Sequence, residues 1–189
     1  MVKTPNGWEV LTRDEHERAW TLFEATFHFH PSVNPSHWPS IAEPEPSVTW
    51  DLALDRAEVT DPRRNTPWTE GVDYVRVNTV LIAAWTSLLT SSDWLYVLDW
   101  QHPGYRCWPH RVDEPTVPNT LPVDVFPNGD YYIFLSPDLR LGTFGHPWEA
   151  SLCVWGDQLI SAVEAVDRDC LTRVLRRNGT AAPTSLERS

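Results

Sequence analysis

The sequence predicts an α+β fold: a mainly antiparallel, Trp-rich sheet packed by about three helices. Three observations carry that expectation. Strand-like and helix-like segments mix along the chain without the regular strand–helix–strand rhythm of a parallel sheet. Eleven of the 189 residues are Trp, and each buried Trp brings on the order of 200 Å² of surface and an N–H that wants a partner. Hydrophobic residues at 41% and charged residues at 22% are globular proportions, sufficient for a core without disulfide staples. No repeat or low-complexity linker divides the chain. Residues 1–189 are therefore expected to form one domain, with an ordered core over 12–179 and a frayed tail over 180–189.

The elements follow in order. A helix is expected from about Thr12 to Thr26, because "TRDE" is a capping box with Thr12 as N-cap and Glu15 three residues on. Ala19, Leu22, Phe23 and Phe27 then recur at helical spacing. "HPSVNPSHWPSIAEPEP" contains too many prolines for helix or central strand and reads as an extended connection over the surface. "SVTWDLAL" alternates apolar Val48, Trp50, Leu52 and Leu54 with other residues, the pattern of a half-buried strand. "DPRRNTPWTEG" reads as loop. The segment from about Val72 to Leu89 is the most apolar helix, with Val72, Val75, Thr79, Ile82 and Trp85 recurring.

"DWLYVLDW" is apolar on both faces until Asp99, which predicts a strand covered on both sides. Five prolines between 102 and 122 leave only short strands and loops there. In "VDVFPNGDYYIFLS" the pair Asn128-Gly129 between β-prone runs predicts a hairpin. "GTFG" and "ASLCVWG" read as two strands parted at His146-Pro147. Asp157 is placed to cap a last amphipathic helix bearing Leu159, Ile160, Val163 and Val166, and "TRVLRRNG" is expected to return as an edge strand.

Charge and motifs exclude several functions. A net charge of −11 disfavours nucleic-acid binding, which rests on phosphate neutralisation by Lys and Arg. It favours cationic partners, amine-bearing small molecules or basic protein surfaces. Cys107, Cys153 and Cys170 form an odd set without C-x-x-C spacing, which fits reduced thiols and a cytoplasmic location. The N-terminus lacks an apolar signal region, and no stretch is apolar enough to span a membrane. The Gly-rich phosphate loops, H-E-x-x-H and the G-x-S-x-G elbow are all missing, so no cofactor and no covalent nucleophile are expected. Cys107 lies near His110 and Arg106, but strand alternation sends Cys107 and His110 to opposite faces. "FHFH" puts His28 and His30 on one face of a strand, a spacing that can ligate zinc or iron. No carboxylate or Cys supports them, and solvated histidines are the simpler reading. No metal is expected.

The richest stretch is "LDWQHPGYRCWPH". "QHPGY" and "GHPWE" each place a His directly before Pro at a strand end, which biases the His toward extended geometry and holds the imidazole at a sheet rim. Asp99, His102 and His146 are therefore the candidate catalytic residues. Trp100, Tyr105, Arg106, Trp108, His110, Trp148 and Glu149 are the candidate substrate-binding residues. A carboxylate ending an apolar strand needs a partner such as Arg106 or a His, and it can hold or deprotonate a substrate ammonium. The Trp faces suit cation–π contact with the same ammonium. The plainer alternative is that each polar residue caps a loop and each Trp fills the core.

"HPSV", "WPSIAEPEPSVTWDL", "LDWQHPGYRCWPH", "FPNGDYYIFL", "GTFGHPWEASLCVWG" and "LRRNG" together resemble a bacterial domain of unknown function, number 2716 in that series, frequent in actinomycetes. The likeness runs from about Trp20 to Gly179. It implies no activity, so no catalytic residue is carried across, and "FHFH" departs from a more Arg-rich version of that segment. High Pro and Trp usage and Arg over Lys fit a high-GC actinomycete, where such domains often sit in natural-product gene clusters. The expectation is a small cytoplasmic enzyme, or enzyme subunit, performing acid–base chemistry such as intramolecular cyclisation of an amine-bearing metabolite. The alternatives are an acidic binding or immunity-type protein, or a stabilising partner subunit in a homodimer or heterodimer.

Overall fold

The computed structural model describes residues 4–53, 74–113, 121–166 and 169–183. Three α-helices, α1 (Arg13–Phe27), α2 (Tyr74–Leu88) and α3 (Asp157–Val166), pack on strands β1 (Trp8–Val10), β2 (Ser47–Asp51), β3 (Leu95–Asp99), β4 (Tyr105–Cys107), β5 (Tyr132–Leu135), β6 (Gly142–His146), β7 (Ser151–Trp155), β8 (Val174–Arg177) and β9 (Thr180–Ala181). The strands form one sheet in the order β1-β4-β3-β5-β6-β7-β2-β8-β9, and every pairing is antiparallel. This is the α+β architecture the sequence predicts.

Helices α2 and α3 cover one face, where Val77, Leu81, Trp85, Leu159 and Val163 meet Leu95, Val97, Phe134, Leu152 and Val154. Helix α1 and the chain that follows it cover the other face, where Phe23, Phe27 and Ile41 meet Leu98, Ile133, Phe144, Cys153 and Trp155. A sheet buried on both sides explains the continuous apolar runs of β3, β5 and β7. It also corrects the reading of "SVTWD": β2 lies between β7 and β8, so Val48, Thr49 and Trp50 are all buried rather than half of them.

Other expectations are refined in the same way. The capping box forms, with Glu15 N–H donating to Thr12 Oγ1 and Thr12 N–H to Glu15 Oε2. Leu22 and Val166, read as core, face solvent, because the buried stripes of α1 and α3 are narrower than the spacing alone suggests. On α2 the buried residues include Val77, Asn78, Val80, Leu81, Ala84 and Trp85, while Val75 and Thr79 are half-buried. Val72 and the loop at 61–71 lie outside the described residues. His28 is the left-handed C-cap of α1, so "FHFH" is not a strand. His30 instead places its ring nitrogens 2.9 Å from His28 O and 3.0 Å from His37 O, and the one that carries the proton donates.

The proline-rich connection is not wholly a surface strap. Ser40 and Ile41 are buried on the α1 face, and His30 N–H and Ala42 N–H donate to Ser40 O and Phe27 O. Asn128-Gly129 does not form a hairpin. Residues 121–131 run as an irregular segment, and the hairpin lies between β5 and β6. Nor is β8 an edge, since β9 pairs outside it and Thr180 is part of the sheet.

Candidate functional site at the Asp99 end of the sheet

The register sets one row across the sheet, Asp99 opposite Tyr132 and Tyr132 opposite Gly145. Beyond Asp99 the chain must turn at once. Trp100 N–H donates to Tyr131 O at 3.2 Å, and His102 N–H returns to Asp99 O at 3.1 Å. Gln101 makes this possible by adopting a left-handed φ of 65°. The turn brings His102 back over Asp99, with Nδ1 at 3.0 Å from Oδ1.

A second carboxylate converges from the segment before β5. Asp130 Oδ1 accepts the Tyr131 N–H at 2.8 Å, and Asp130 Oδ2 lies 3.8 Å from the same His102 Nδ1. The two Asp side chains are 16% and 17% exposed, against 59% for His102. Burial pushes the Asp99 carboxyl up, the hydrogen bond and charge of His102 oppose this, and the Asp130 charge adds to it. Burial likewise raises Asp130, opposed by the Tyr131 N–H and by His102. His102 moves above its ordinary value, first through the Asp99 hydrogen bond and then through its charge. Burial, with Asp99, Asp130 and Asp124 around it, raises Tyr132 to about 12. An ionised carboxylate only accepts, so in the neutral ring Nδ1 carries the proton and Nε2 is left as an acceptor.

His146 ends β6 on the opposite face and is fully buried. Its Nδ1 accepts from Glu149 N–H at 3.0 Å, so the proton sits on Nε2, 3.1 Å from Ser40 Oγ. Ser40 Oγ then donates to Tyr131 Oη at 3.2 Å, and Tyr131 Oη donates to Ser32 O at 3.1 Å. The chain of donors runs in one direction and uses both imidazole nitrogens. Burial lowers His146 to about 4, with the Arg176 charge assisting and Glu149 opposing. His146 is thus a neutral, satisfied histidine.

The two clusters adjoin through residues 130–132. Trp100 and Trp148 both pack on the Tyr131 ring, at 5.6 and 5.0 Å between centroids, and Trp148 is 37% exposed. Glu149 turns the other way. Arg176 holds it bidentately at 2.6 and 2.7 Å, and Ser151 Oγ donates to it at 2.6 Å.

The remaining predicted residues have other partners. Arg106 binds Glu9 and Glu15 and lies over the rings of Trp94 and Trp108. Tyr105 meets Trp8 edge-on. His110 sits in a 3₁₀ turn, not a strand, and its Nε2 donates to Leu89 O at 2.7 Å. Burial lifts the Cys107 thiol to about 12, which removes it as a nucleophile. The sequence reading missed Asp130, Tyr131 and Ser40. Asp130 stands within the "NGDYY" that was read as turn chemistry, and nothing local marks Ser40.

Comparison with known proteins places the chain. Residues 10–160 match the family model described as "Protein of unknown function (DUF2716)". The chain is 30% identical over 170 residues to "Uncharacterized protein YxiI" of Bacillus subtilis (strain 168), covering 86% of this chain and 94% of that protein. No solved structure matches. The chain belongs to the DUF2716 family.

Proposed function

We propose that this protein handles an amine-bearing small molecule by acid–base chemistry at the Asp99 end of the sheet, as an enzyme or enzyme subunit of cytoplasmic natural-product metabolism. The observation that carries the reading is the Asp99–His102 contact of 3.0 Å. Asp99 holds the Nδ1 proton and orients the exposed ring, and Nε2 takes a proton from a substrate ammonium. Asp130, 3.8 Å from the same ring nitrogen, supplies a second negative charge for that ammonium. In a cyclisation the freed amine attacks an activated carbonyl of the same molecule. The C–N bond forms as the bond to the leaving group breaks with its electron pair; His102 holds the proton taken from the ammonium, and the second proton lost from nitrogen leaves with the departing group. His146 acts here as a buried strut for Tyr131, a different role from the catalytic one its sequence setting suggested.

The test uses amine probes. Spermidine and lysine methyl ester are expected to raise the Tm and to shift the His102 ring resonances, with Asp99→Asn losing both effects while remaining folded. Equal or larger responses to carboxylate probes of similar size would overturn the reading. The net charge of −11 also supports a second reading, a non-catalytic acidic protein or stabilising subunit bound to a basic partner. Stoichiometric co-purification with a basic protein chain that covers His102, without any amine response, is its signature.

A further inference from the structure

We propose that Asp99, His102 and Asp130 form a binding site for a divalent transition-metal ion of the zinc class. This inference is independent of amine handling, although it uses the same side chains. One donor atom from each of the three residues lies within 4.8 Å of the others. Metal–ligand bonds of about 2.0–2.2 Å put neighbouring tetrahedral donors roughly 3.3 Å apart. Asp99 Oδ1 and His102 Nδ1 already stand at 3.0 Å. Asp130 Oδ2 is 3.8 Å from the same nitrogen, and the exposed His102 ring is free to close that gap.

Three features distinguish this group from ordinary surface acids. Its donors are mixed, one imidazole nitrogen and two carboxylate oxygens, a set that suits zinc or manganese better than calcium. The oxygens come from separate segments brought together by the sheet, since Asp99 pairs with Tyr132 in the β3–β5 ladder and Asp130 is two residues before that partner. Each carboxylate also keeps an oxygen in reserve. The Tyr131 N–H fixes Asp130 Oδ1, which aims Oδ2 at His102 in the manner of an outer-shell hydrogen bond orienting a ligand. Asp99 Oδ2 has no hydrogen-bond partner among the described residues.

At present one imidazole proton stands between two partly buried carboxylates. A divalent ion placed there takes Nδ1, with the ring proton moving to Nε2, and neutralises both acids. The three ligands leave further coordination positions open toward solvent on the His102 side, where a water can bind. The ion and an ammonium call on the same carboxylates, so they exclude one another.

Isothermal titration of the full chain with Zn²⁺ alone, in two buffers of different ionisation heat, tests the proposal. One saturable site is expected, releasing up to one proton per ion where the His102 imidazolium must deprotonate to coordinate, and close to none where the ring is already neutral. Asp130→Asn and His102→Gln are each expected to weaken binding by more than about 100-fold, beyond what loss of an outer-shell partner alone costs. His37→Gln, in the connection after α1, is expected to leave it unchanged. No saturable binding to the wild type, or binding that survives both site variants, would overturn the proposal. A wild type that keeps its spermidine response but binds no Zn²⁺ separates failure of this site from failure of the acid–base reading, and Zn²⁺ binding without any amine response is the converse. Zn²⁺ is also expected to suppress the spermidine response of the wild type.

Discussion

Two histidines that share a local sequence setting have opposite chemistry, and the difference is burial. His102 is exposed and its charge is favoured by Asp99. His146 is enclosed, hydrogen-bonded at both nitrogens as the neutral form, and lowered to about 4 chiefly by burial. Between about pH 4 and pH 6.5 the unfolded chain therefore binds a proton at this site that the folded chain does not. The sign follows: this contribution is complete above pH 6.5, on the order of 3 kcal/mol, and is lost as pH falls toward 4. Urea unfolding across that window is expected to show the loss. His146→Phe is expected to flatten it while lowering stability at pH 7, because Ser40 Oγ and the Glu149 N–H lose their partner. An unchanged pH slope in the variant would assign the acid sensitivity to other groups. "GHPWE" and "QHPGY" gave no warning of this, since burial depends on the Ser40 and Tyr131 segments that fold over His146 from remote parts of the sequence.

At the scale of elements, helix α1 was legible because its signals are local: a capping box and apolar residues three and four apart. The Asn128-Gly129 hairpin failed because a tertiary contact outweighed a local propensity. Asn78 on α2 is buried, and its Oδ1 accepts the N–H groups of Val125 and Phe126 at 2.8 and 3.1 Å. Its Nδ2 donates to Asp124 Oδ1 at 2.6 Å, and Asp124 Oδ2 accepts from Asn128 Nδ2 at 2.7 Å. The backbone donors that a strand ladder would use are thus taken by one side chain. Asn128 Oδ1 accepts from Tyr132 Oη at 3.0 Å, which ties the segment to the row holding Asp99. Gly145 permits the close approach, since a Cβ there would come within 2.9 Å of Pro127. Asn78→Ala strands two N–H donors and a buried carboxylate, and is expected to cost about 3 kcal/mol in urea unfolding. Amide exchange at Val125 and Phe126 is expected to rise in the same variant. A loss below about 0.5 kcal/mol, the size of an ordinary surface substitution, would show that the segment is held by its apolar contacts alone.

For the whole molecule, what was readable was the inventory of layers, and what was not was how distant segments lock. The α+β reading needed only periodicity and Trp content. The placing of "AEPEP", "GHPWE" and "LRRNG" side by side required the sheet order, because Glu43, Glu149 and Arg176 are remote in sequence and β8 was read as an edge. Arg176 donates through Nε to Glu43 at 2.9 Å and through both terminal nitrogens to Glu149. The Glu43 side chain is 1% exposed, accepts from Thr49 Oγ1 as well, and keeps a buried Oε2 without a hydrogen-bond partner among the described residues. Burial alone would raise Glu149, yet the hydrogen bonds and charge of Arg176 hold it below the usual carboxylate range. One guanidinium therefore joins the connection after α1, the β6–β7 turn and β8. Removing it leaves two buried carboxylates uncompensated, a change that costs about 3–5 kcal/mol where one partner of a buried pair is lost. Arg176→Met is expected to lose that much at pH 7 and to recover part of it on acidification, as Glu149, no longer held down by the guanidinium, protonates. Adding Glu43→Gln and Glu149→Gln to Arg176→Met is expected to restore most of the loss without any acid. If the triple variant is no more stable than Arg176→Met, the guanidinium acts through its packing on β8 rather than through its charge.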